Sequence, residues 1–502
     1  MINDAIYRER LILAEPFIEF AARFASLPGT VILLSGGYLD CARYHILGAL
    51  PWLTFTGRGQ NHSVSTPEGT IDYKANPFEI LSLLLDKYKM ANQSPECPLC
   101  SGLMGYLSYD LKDTLEKLPR TSVDDMCLPE ILFYAPSIIV VHDKIIGETN
   151  LFIPAGNCDA RKALDSFGEI VKKNPGKTGN DIYAGELKSG FSKEAFIEAV
   201  NKIREYIRAG DVYQVNISQR FMADFSGDAY DLFKTLYEKN PAPFFSFINA
   251  GNHQIISTSP ERFILQKERR IETRPIKGTR PRGVTDAEDN KFKIDLLNSG
   301  KDDAELSMIV DLMRNDLGKV CKAGSVKVAE HKRIEAYRNV YHLVSIVEGI
   351  LGDGYNSADL IRAVFPGGSV TGCPKIRAME IIDELEPCRR HIYTGSIGYI
   401  GFHDTMDLSI AIRTAVVYSG RIIYSVGGGI VFDSNPEDEY DETLHKGRTI
   451  METFEKAYEK QVIKSFVWHN GIIKPAESVY IPADGEGFLY GYGFFETIRV
   501  SK

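Results

Sequence analysis

The stretch FILQKERRIETRPIKG, residues 263–278, decides the fold, because its pattern predicts a strand, a turn and a second strand. Alternating apolar residues predict further strands at 212–225 and 421–434. These strands come in hairpin-like groups and do not alternate strictly with helices. The sequence therefore predicts an α+β fold, in which antiparallel sheets are flanked by helices, and not a Rossmann-type sheet.

Three long segments have the apolar spacing of helices. The first begins after Ser192, a favoured N-cap residue, and keeps its periodicity to Gly210. The second spans residues 302–320, and the third spans 436–458 with Pro436 in its first turn, where proline is well tolerated.

Changes in composition divide the chain into segments. Residues 172–191 are rich in glycine and charged residues, and we interpret them as a linker. They separate an N-terminal domain, 1–171, from a second domain, 192–460. The tail, 465–502, has its own strand pattern and a glycine-rich turn, which predict the beginning of another domain.

The composition argues against several classes of protein. The net charge is −9, and such an acidic chain is a poor nucleic-acid binder, because phosphate contacts need clustered Lys and Arg. No stretch approaches the ~20 apolar residues of a membrane-spanning helix, and the charged N-terminus lacks the apolar run of a signal peptide. We therefore expect a cytoplasmic protein that contacts neither nucleic acid nor a membrane.

The eight cysteines are widely spread along the chain, which argues against a disulfide framework. Cys97 and Cys100 form the only CxxC pair, and no second pair or histidine cluster completes a zinc site. We interpret all eight thiols as reduced. A redox-active or metal-bound Cys97–Cys100 pair is the alternative.

Two pairs of acidic residues lie on predicted helices. Asp302 and Glu305 are three residues apart, as are Glu439 and Glu442, so the members of each pair share one helix face. Two such faces that meet in a cleft can hold Mg²⁺, which prefers oxygen ligands. By itself, each pair is more simply explained as part of a solvated helix surface.

Two glycine-rich segments can bring the backbone close to a ligand. FPGGSVTGCPKIRAME (365–380) runs through turns into a helix whose N-terminal amides can bind an anion. SVGGGIV (425–431) places three glycines within a strand, which indicates the close approach of a ligand or another backbone. Neither segment matches a P-loop or dinucleotide pattern, and turn geometry alone is the alternative for each.

Lys277 and Glu261 form a candidate catalytic pair. Lys277 lies in the predicted return strand of a hairpin, and Glu261 can face it across that hairpin. Such a carboxylate can exchange a proton with the amine or with a leaving hydroxyl. Desolvation would give a neutral, nucleophilic amine. A lone lysine is otherwise an ordinary surface residue.

Taken together, these segments resemble the chorismate-utilising enzymes, a family that includes anthranilate, aminodeoxychorismate, isochorismate and salicylate synthases. The resemblance covers about residues 193–456 and rests on long strings in the family's order: DVYQVNISQ, STSPERF, ETRPIKGTRPRG, FPGGSVTGCPKIRAMEIIDELE and GGGIVFDSNPEDEYDETLHK. It implies that the antiparallel sheets pack as a sandwich with helices outside, and that the substrate is chorismate.

The resemblance also implies roles for the residues that match the family's motifs. Mg²⁺ would be bound by Glu305 and Glu442, with Asp302 and Glu439 as their second, partly water-mediated partners. The substrate-binding residues that it implies are Gln214, Thr279, Gly372, Tyr393, Arg413, Gly427, Gly428, Gly429 and Lys446.

Two positions sort the chain within the family. Gln214 stands where isochorismate and salicylate synthases have the lysine that activates water, so the resemblance disfavours the addition of water. Lys277 stands where anthranilate synthases have alanine and aminodeoxychorismate synthases have lysine. The resemblance therefore implies the synthesis of 4-amino-4-deoxychorismate, on the route to 4-aminobenzoate and folate.

The implied reaction is a double displacement. Lys277 would attack C2 of Mg²⁺-bound chorismate while Glu261 helps the C4 hydroxyl to leave, with His342 near the reacting edge of the ring. Ammonia would then attack C4 and expel Lys277. It should come from a separate glutamine amidotransferase, because no Cys-His-Glu pattern of such an enzyme is visible here. The alternatives are an anthranilate synthase, and a non-catalytic regulator that binds an aromatic amino acid.

The two end segments have resemblances of their own. LLSGGYLD (33–40) sits where anthranilate synthases bind tryptophan, which makes Ser35 a candidate for a tryptophan pocket, although CPLCSG replaces a more glycine-rich run in that domain. GFLYGYGFFETIRV in the tail is similar to the beginning of aminodeoxychorismate lyase, a pyridoxal-phosphate enzyme. The sequence stops before that family's cofactor lysine, so we expect neither pyridoxal phosphate nor lyase activity in this chain.

Overall fold

The computed structural model describes residues 6–90, 97–173, 182–461, 466–469 and 472–475 of the 502-residue chain. Ten α-helices lie in this part, in the order α1 (Phe17–Ala25), α2 (Pro77–Lys87), α3 (Ala160–Lys172), α4 (Lys193–Ala209), α5 (Ala229–Lys239), α6 (Asp286–Asn298), α7 (Gly300–Gly318), α8 (Ser357–Val364), α9 (Lys375–Leu385) and α10 (Pro436–Gln461).

The strands of the described residues fall on both sides of the predicted linker. Those before residue 190 are β1 (Tyr7–Leu11), β2 (Thr30–Leu34), β3 (Tyr44–Arg58), β4 (Asn61–Thr66), β5 (Gly69–Lys74), β6 (Gly102–Leu107), β7 (Ile131–Asp143), β8 (Glu148–Ile153), β9 (Tyr183–Ala184) and β10 (Lys188–Ser189). Those after it are β11 (Gln214–Ser226), β12 (Phe244–Asn249), β13 (His253–Ser259), β14 (Arg262–Lys267), β15 (Arg270–Thr273), β16 (Ile276–Pro281), β17 (Lys327–Ala336), β18 (Val340–Ile350), β19 (Gly372–Cys373), β20 (Ser396–Gly401), β21 (Thr405–Ile410), β22 (Thr414–Tyr418), β23 (Arg421–Ile430), β24 (Phe466–His469) and β25 (Ile472–Pro475).

Antiparallel pairing runs through the whole described sheet. Strands β1 to β23 form one continuous hydrogen-bonded sheet, and each strand pairing within it is antiparallel. The predicted α+β fold of antiparallel sheets and helices is therefore confirmed. Only the hairpin β24–β25 of the predicted tail domain, 465–502, belongs to the described residues. The lyase-like motif lies outside them.

The predicted helices form where their end signals place them. The Ser192 side chain accepts a hydrogen bond from the Ala195 amide at the start of α4, and Gly210 ends that helix in the left-handed conformation with φ 84°. Helix α7 begins at Gly300, two residues before the predicted start, because the Ser299 side chain caps the Asp302 amide. Pro436 opens α10 as predicted.

Strands from the two halves of the sequence are neighbours in the sheet. Strand β2 pairs with β12, and β6 pairs with β20 along its full length. Within the predicted linker, β9 and β10 both pair with β11, whereas residues 174–181 are not described. Strands from both predicted domains, 1–171 and 192–460, therefore belong to one sheet. The division of the chain into these two domains stays a prediction.

The apolar core also combines the two halves. One buried cluster joins Phe24 of α1 and Val140 of β7 to Phe233 of α5 and Ile422 of β23. A fully buried side chain of this size contributes roughly 1.5–3 kcal/mol through the hydrophobic effect. The packing therefore holds helices from both halves against the common sheet.

The local topology around Lys277 differs from the predicted hairpin. Strands β14 and β15 do form a hairpin, but Lys277 lies on the following strand, β16, which pairs with β18. Pro275 separates β15 from β16, since proline lacks the amide hydrogen that a continuous ladder needs. Lys277 consequently lies opposite Leu343 and not opposite a residue of β14.

Two further findings concern the thiols and the membrane. All eight cysteines are in the described residues, and none of them forms a disulfide. The thiol of Cys100 lies 3.8 Å from Nδ1 of His403. Among the described helices, none is both long enough and apolar enough to span a membrane.

The contact between β6 and β20 gives a test of the shared sheet. Gly102 of β6 pairs with Gly401 of β20, and a Cβ at Gly102 would overlap the carbonyl oxygen of Ile400 in β20. We expect Gly102→Ala to lower the free energy of unfolding by about 2 kcal/mol, as overpacking in a core does. The measurement is urea unfolding followed by circular dichroism.

Gly168→Ala is the matched control, because a Cβ at this position in α3 meets nothing within 4 Å. We expect it to raise stability by up to about 1 kcal/mol, since alanine is the better helix former. Equal effects of the two substitutions would contradict the proposed close contact.

Candidate active site

Lys277 lies half-buried on β16 with its ammonium group directed into the protein. Its Nζ donates a hydrogen bond to the carbonyl oxygen of Ser369 at 3.3 Å. Burial lowers the pKa of Lys277, and the carboxylates of Glu305 and Glu261 oppose this change. The amine is therefore held among acidic groups, with no ion pair within 4 Å among the described residues, and a larger fraction of it is neutral than in a solvent-exposed lysine.

Glu261 is buried, with 5% of its surface exposed, in the connection between β13 and β14. Its Oε1 accepts a hydrogen bond from the hydroxyl of Ser369 at 2.6 Å. Burial raises the pKa of Glu261 to about 7, although the Ser369 hydrogen bond and the charge of Lys277 both act in the opposite direction. A carboxyl group with this pKa can both give and take a proton near neutral pH. Glu261 and Lys277 therefore both contact Ser369, although not across the predicted hairpin, and their catalytic pairing stays a prediction.

His342 of β18 presents a neutral ring to the same region. Its Nδ1 lies 3.0 Å from the hydroxyl of Thr279, and its ring packs edge-on against Tyr337 with 4.9 Å between the ring centres. Burial lowers the pKa of His342 to about 3, and the charge of Arg413 adds to this effect. Its buried Nε2 has no hydrogen-bonding partner among the described residues. A buried ring nitrogen of this kind is suited to contact a ligand.

Arg413 supplies a half-buried positive charge. It adopts a left-handed conformation with φ 51° in the connection between β21 and β22. In the described part of the chain, no carboxylate lies within 4 Å of its guanidinium group, although Glu261, Tyr424 and Tyr337 act on it electrostatically. Desolvation lowers its pKa. A half-buried guanidinium without a carboxylate partner is a strong candidate to bind an anion.

The three glycines of β23 leave room for surrounding side chains. A Cβ at Gly427 would lie 2.9 Å from the hydroxyl of Tyr393, and one at Gly428 would lie 3.2 Å from Oε2 of Glu439. A Cβ at Gly429 would lie 2.6 Å from Nε2 of Gln214 and 3.6 Å from Nζ of Lys277. The glycines therefore allow polar side chains to approach this strand closely, whereas the approach of a ligand stays a prediction.

Gln214 and Gly372 meet at the edge of the same region. Gln214 is buried and donates a hydrogen bond from Nε2 to Oε2 of Glu305 at 3.2 Å. Gly372 has φ 145°, and a Cβ there would overlap the carbonyl oxygen of Gln214. Gly372 thus fixes the backbone of Gln214 through the short pairing of β19 with β11.

The four carboxylates proposed as magnesium ligands come from two helices, α7 and α10. On α7, Asp302 lies 3.1 Å from the guanidinium of Arg280, whereas Glu305 is held by Gln214. The Asp302 carboxylate is therefore directed toward Arg280, and Glu305 is the acidic residue of this helix whose charge acts on Lys277.

On α10, Glu439 accepts a hydrogen bond from the hydroxyl of Ser434 at 2.6 Å. Glu442 lies 2.6 Å from Nζ of Lys446, which also donates to the carbonyl oxygen of Gly427 at 3.2 Å. Burial opposes the ionisation of Glu442, yet the neighbouring Lys446, Lys301 and Lys277 hold its pKa below the usual value. Within the described residues, no three His, Cys, Asp or Glu side chains form a closed metal cage.

Sequence reasoning missed Ser369, which contacts both Lys277 and Glu261. The sequence predicts for the segment FPGGSVTG only backbone amides that can bind an anion at the N-terminus of the following helix, and no role for its serine. The signal that could have revealed Ser369 is its hydroxyl in a tight turn that precedes a helix, but no spacing rule connects it to residues about a hundred positions away.

Ser35 lies in a different part of the molecule. It lines a cavity of about 240 Å³ together with Cys41, Arg262, Tyr399 and Asp407. Its amide donates to Nδ1 of His45, and its carbonyl oxygen accepts from Nζ of Lys144 at 2.6 Å. The lining of this cavity does not include Lys277, His342 or Arg413, so the two sites are separate.

These features agree with the comparisons to known proteins. Residues 50–452 match the sequence pattern of the chorismate-binding enzymes. The chain belongs to this family. It is 41% identical over 442 residues to aminodeoxychorismate synthase component 1 of Escherichia coli, covering 87% of this chain and 96% of that protein. It is also 38% identical over 443 residues to anthranilate synthase component 1 of Cereibacter sphaeroides, covering 84% and 88% respectively.

Solved structures of the family share the fold. Anthranilate synthase component I of Streptococcus pneumoniae superimposes with a TM-score of 0.74 at 30% identity, over 82% of this chain and 92% of that one. The menaquinone-specific isochorismate synthase of Escherichia coli gives a TM-score of 0.70 at 14% identity, over 90% and 94%. Proteins that share this fold are thus named for different reactions.

The raised pKa of Glu261 predicts that the free energy of unfolding falls as the pH rises. A carboxyl group whose folded pKa is about 7 instead of 4.5 stabilises the fold while protonated, below pH 4.5, and this stability is lost as the pH rises through 7. Glu261→Gln stays neutral at every pH. We therefore compare the free energy of unfolding of this variant with that of the unmodified chain. We expect the difference to shift in favour of the variant by about 3 kcal/mol when the pH is raised from 4.5 to 8.5.

Urea unfolding at the two pH values measures this difference, and any constant cost of the substitution cancels between them. Glu194→Gln, at an exposed position of α4, is the control and should show a small change with pH. A pH-independent effect of Glu261→Gln would show that Glu261 is ionised like an exposed glutamate.

Proposed function

We propose that this chain converts chorismate and ammonia to 4-amino-4-deoxychorismate, with Lys277 as the covalent nucleophile. The observation that carries the proposal is the placement of Lys277 in a half-buried site next to Glu261. A lysine with a lowered pKa beside a carboxyl group with a raised pKa is suited to nucleophilic attack coupled to proton transfer.

The substrate is an anion with two carboxylates, and the site offers cations to receive them. Arg413 has no carboxylate partner among the described residues, and Lys446 lies next to the carbonyl of Gly427. Tyr393 approaches the same strand through its hydroxyl. These groups would bind the carboxylates of chorismate, while His342 would contact the ring through its unpartnered Nε2.

The acidic residues fit a bound magnesium ion. Mg²⁺ is usually held by one or two carboxylates together with substrate oxygens and water, so a closed protein cage is not required. Glu305 and Glu442 come from different helices and both act on Lys277 electrostatically. They would hold the ion, which when bound neutralises and orients a substrate carboxylate. Asp302 and Glu439 would contribute through water.

The chain's own residues then perform two allylic displacements. In the first, the Lys277 amine forms a bond to C2, both ring double bonds shift (C1=C2 and C5=C6 become C1=C6 and C4=C5), and the C4–O bond breaks as Glu261 donates a proton, so that water leaves. In the second, ammonia forms a bond to C4, both double bonds shift back, the bond between C2 and Lys277 breaks to release the lysine amine, and Glu261 takes the proton that the new C4 ammonium group loses. Covalent catalysis thus replaces one difficult substitution with two easier steps.

Gln214 supports addition of nitrogen over addition of water. Its amide donates to Glu305 and has no basic atom with which to deprotonate a water molecule. Ammonia would come from a glutamine amidotransferase subunit, since relatives of this chain are named component 1. The second candidate reaction is that of anthranilate synthase, which is favoured by relatives at 38–42% identity.

The Ser35 cavity supports a second binding function. Its volume of about 240 Å³ and the Tyr399 ring in its lining favour a small aromatic ligand, whereas Arg262 and Asp407 of the lining are paired with each other at 2.8 Å. We propose that it binds tryptophan or a related ligand. A protein that had only this function would be a regulator, and retained turnover with chorismate and ammonium would exclude that reading.

Lys277→Ala tests the nucleophile. We expect the formation of 4-amino-4-deoxychorismate from chorismate, Mg²⁺ and ammonium to fall by more than about a thousandfold, because the covalent route is lost. Intact-mass analysis of the unmodified protein should show an adduct of chorismate less water on Lys277. Lys202→Ala, at the surface of α4, should keep both product and adduct. Anthranilate as the main product would refute the proposed function.

Glu305→Gln and Glu442→Gln test the metal ligands. We expect each to raise the Mg²⁺ concentration that gives half-maximal activity by about tenfold or more, as the loss of a coordinating charge does. Asp311→Asn, an exposed acidic residue on the same helix as Glu305, is the control. A Mg²⁺ dependence that is unchanged in the glutamine variants would remove these residues from the ligand set.

A further inference from the structure

Ser369 connects the two groups that the proposed reaction uses. Its hydroxyl donates to Oε1 of Glu261 at 2.6 Å, and its carbonyl oxygen accepts from Nζ of Lys277 at 3.3 Å. A single residue therefore contacts the nucleophile through its backbone and the acid through its side chain. None of the roles described above includes it.

The turn that carries Ser369 is tightly held. Residues Gly368–Val370 form one turn of 3₁₀ helix, and the hydroxyl of Thr371 donates to the carbonyl oxygen of Gly367 at 3.0 Å. The guanidinium of Arg390 donates to the carbonyl oxygen of Val370 at 2.9 Å. These contacts fix both hydrogen-bonding groups of Ser369 relative to the sheet.

The turn also packs closely against α7. A Cβ at Gly368 would lie 2.5 Å from Cδ2 of Leu312 and 2.7 Å from Cε of Met313. Because α7 carries Glu305 as well, the turn and one proposed magnesium ligand have the same support. A shift of the turn would therefore move Ser369 relative to the whole site.

Each hydrogen bond of Ser369 restricts the movement of one reacting group. A lysine side chain has many rotamers, and a hydrogen bond to the fixed carbonyl selects those that keep Nζ at this place. If the amine is neutral, one of its hydrogens is then used, and its lone pair points away from the carbonyl oxygen. The bond to Oε1 of Glu261 likewise restricts the orientation of this carboxyl group, which also accepts a hydrogen bond from the backbone of Ile276.

We propose that Ser369 is a positioning residue that aligns Lys277 and Glu261 for the displacement at chorismate. This inference rests on the proposed function, since it assumes that both residues take part in one reaction. The alignment matters because an allylic displacement needs attack at one carbon and proton transfer at another in the same step.

The hydroxyl of Ser369 also acts on the proton of Glu261. The charged and titratable groups that face this carboxyl group are Lys277 of β16, Arg413 after β21 and Tyr337 after β17. The Ser369 bond favours the ionised carboxylate and so lowers the pKa of Glu261. Its removal raises that pKa, and because Glu261 must be protonated to release water, activity is then lost at a higher pH.

Ser369→Ala removes the hydroxyl and keeps the backbone carbonyl. We expect kcat to fall about tenfold, with KM for chorismate changed by less than about threefold, since the groups that bind the carboxylates remain. The basic limb of the pH profile of kcat should move up by about one pH unit. Ser369→Thr, which keeps a hydroxyl, should restore the position of that limb.

Thr371→Val is the matched control for a merely structural role. It removes the bond that closes the turn but leaves the hydroxyl of Ser369 in place. We expect this variant to keep the pH limb of the unmodified chain, whatever its effect on thermal stability. Thermal unfolding of all three variants shows whether each is folded.

Two outcomes would overturn the role of Ser369. One is a Ser369→Ala variant with an unchanged kcat and pH limb. The other is a Thr371→Val variant that reproduces the same loss and the same shift. Failure of the proposed function looks different: the unmodified chain would show no adduct on Lys277 or would make anthranilate. In that case, the basic limb of the pH profile for whichever product forms still shows whether Ser369→Ala changes the pKa of Glu261.

Discussion

The long antiparallel ladder between β11 and β23 is the interaction on which the rest of the site depends. It runs without interruption from the pair Val215–Ile430 to the pair Asp224–Arg421. Gln214 lies at one end of β11, and the three glycines of β23 lie beside it. A slip of one residue would turn every side chain of a strand to the opposite face. The ladder thus decides which groups can meet Lys277.

The second constraint is electrostatic. The site contains three basic side chains, Lys277, Arg413 and Lys446. It also contains three carboxyl groups, those of Glu261, Glu305 and Glu442. Charges removed from water are costly unless they are paired, and here the pairing is incomplete: the half-buried Arg413 lacks a carboxylate partner in the described residues, and Glu261 has a pKa near 7. Under the proposed function, an anionic substrate with a metal ion would complete the pairing, and this gain would favour its binding.

The sequence predicts the parts of this arrangement that depend on local pattern. Helices α4 and α10 follow from Ser192 and Pro436, and the glycines of β23 follow from their place in a strand. The prediction that Lys277 lies in the return strand of a hairpin was wrong. Periodicity does not show that the strand after Pro275 pairs with β18. The contact of His342 with Thr279 and that of Ser369 with Glu261 join residues far apart in the chain, so no local signal contains them.

The fold alone does not choose the reaction. A protein named as an isochorismate synthase shares this fold, with a TM-score of 0.70 at 14% identity, while other relatives are named for the synthesis of aminodeoxychorismate or anthranilate. We propose that the reaction is chosen by the group that can act at C2 and by the group that can accept or release protons beside it. In this chain we assign the first role to the amine of Lys277, whereas the Gln214 amide donates to Glu305 and has no basic atom. Under this proposal, an alanine in place of Lys277 would keep the binding groups and remove the covalent route, so that one side chain would separate two products on an otherwise shared site.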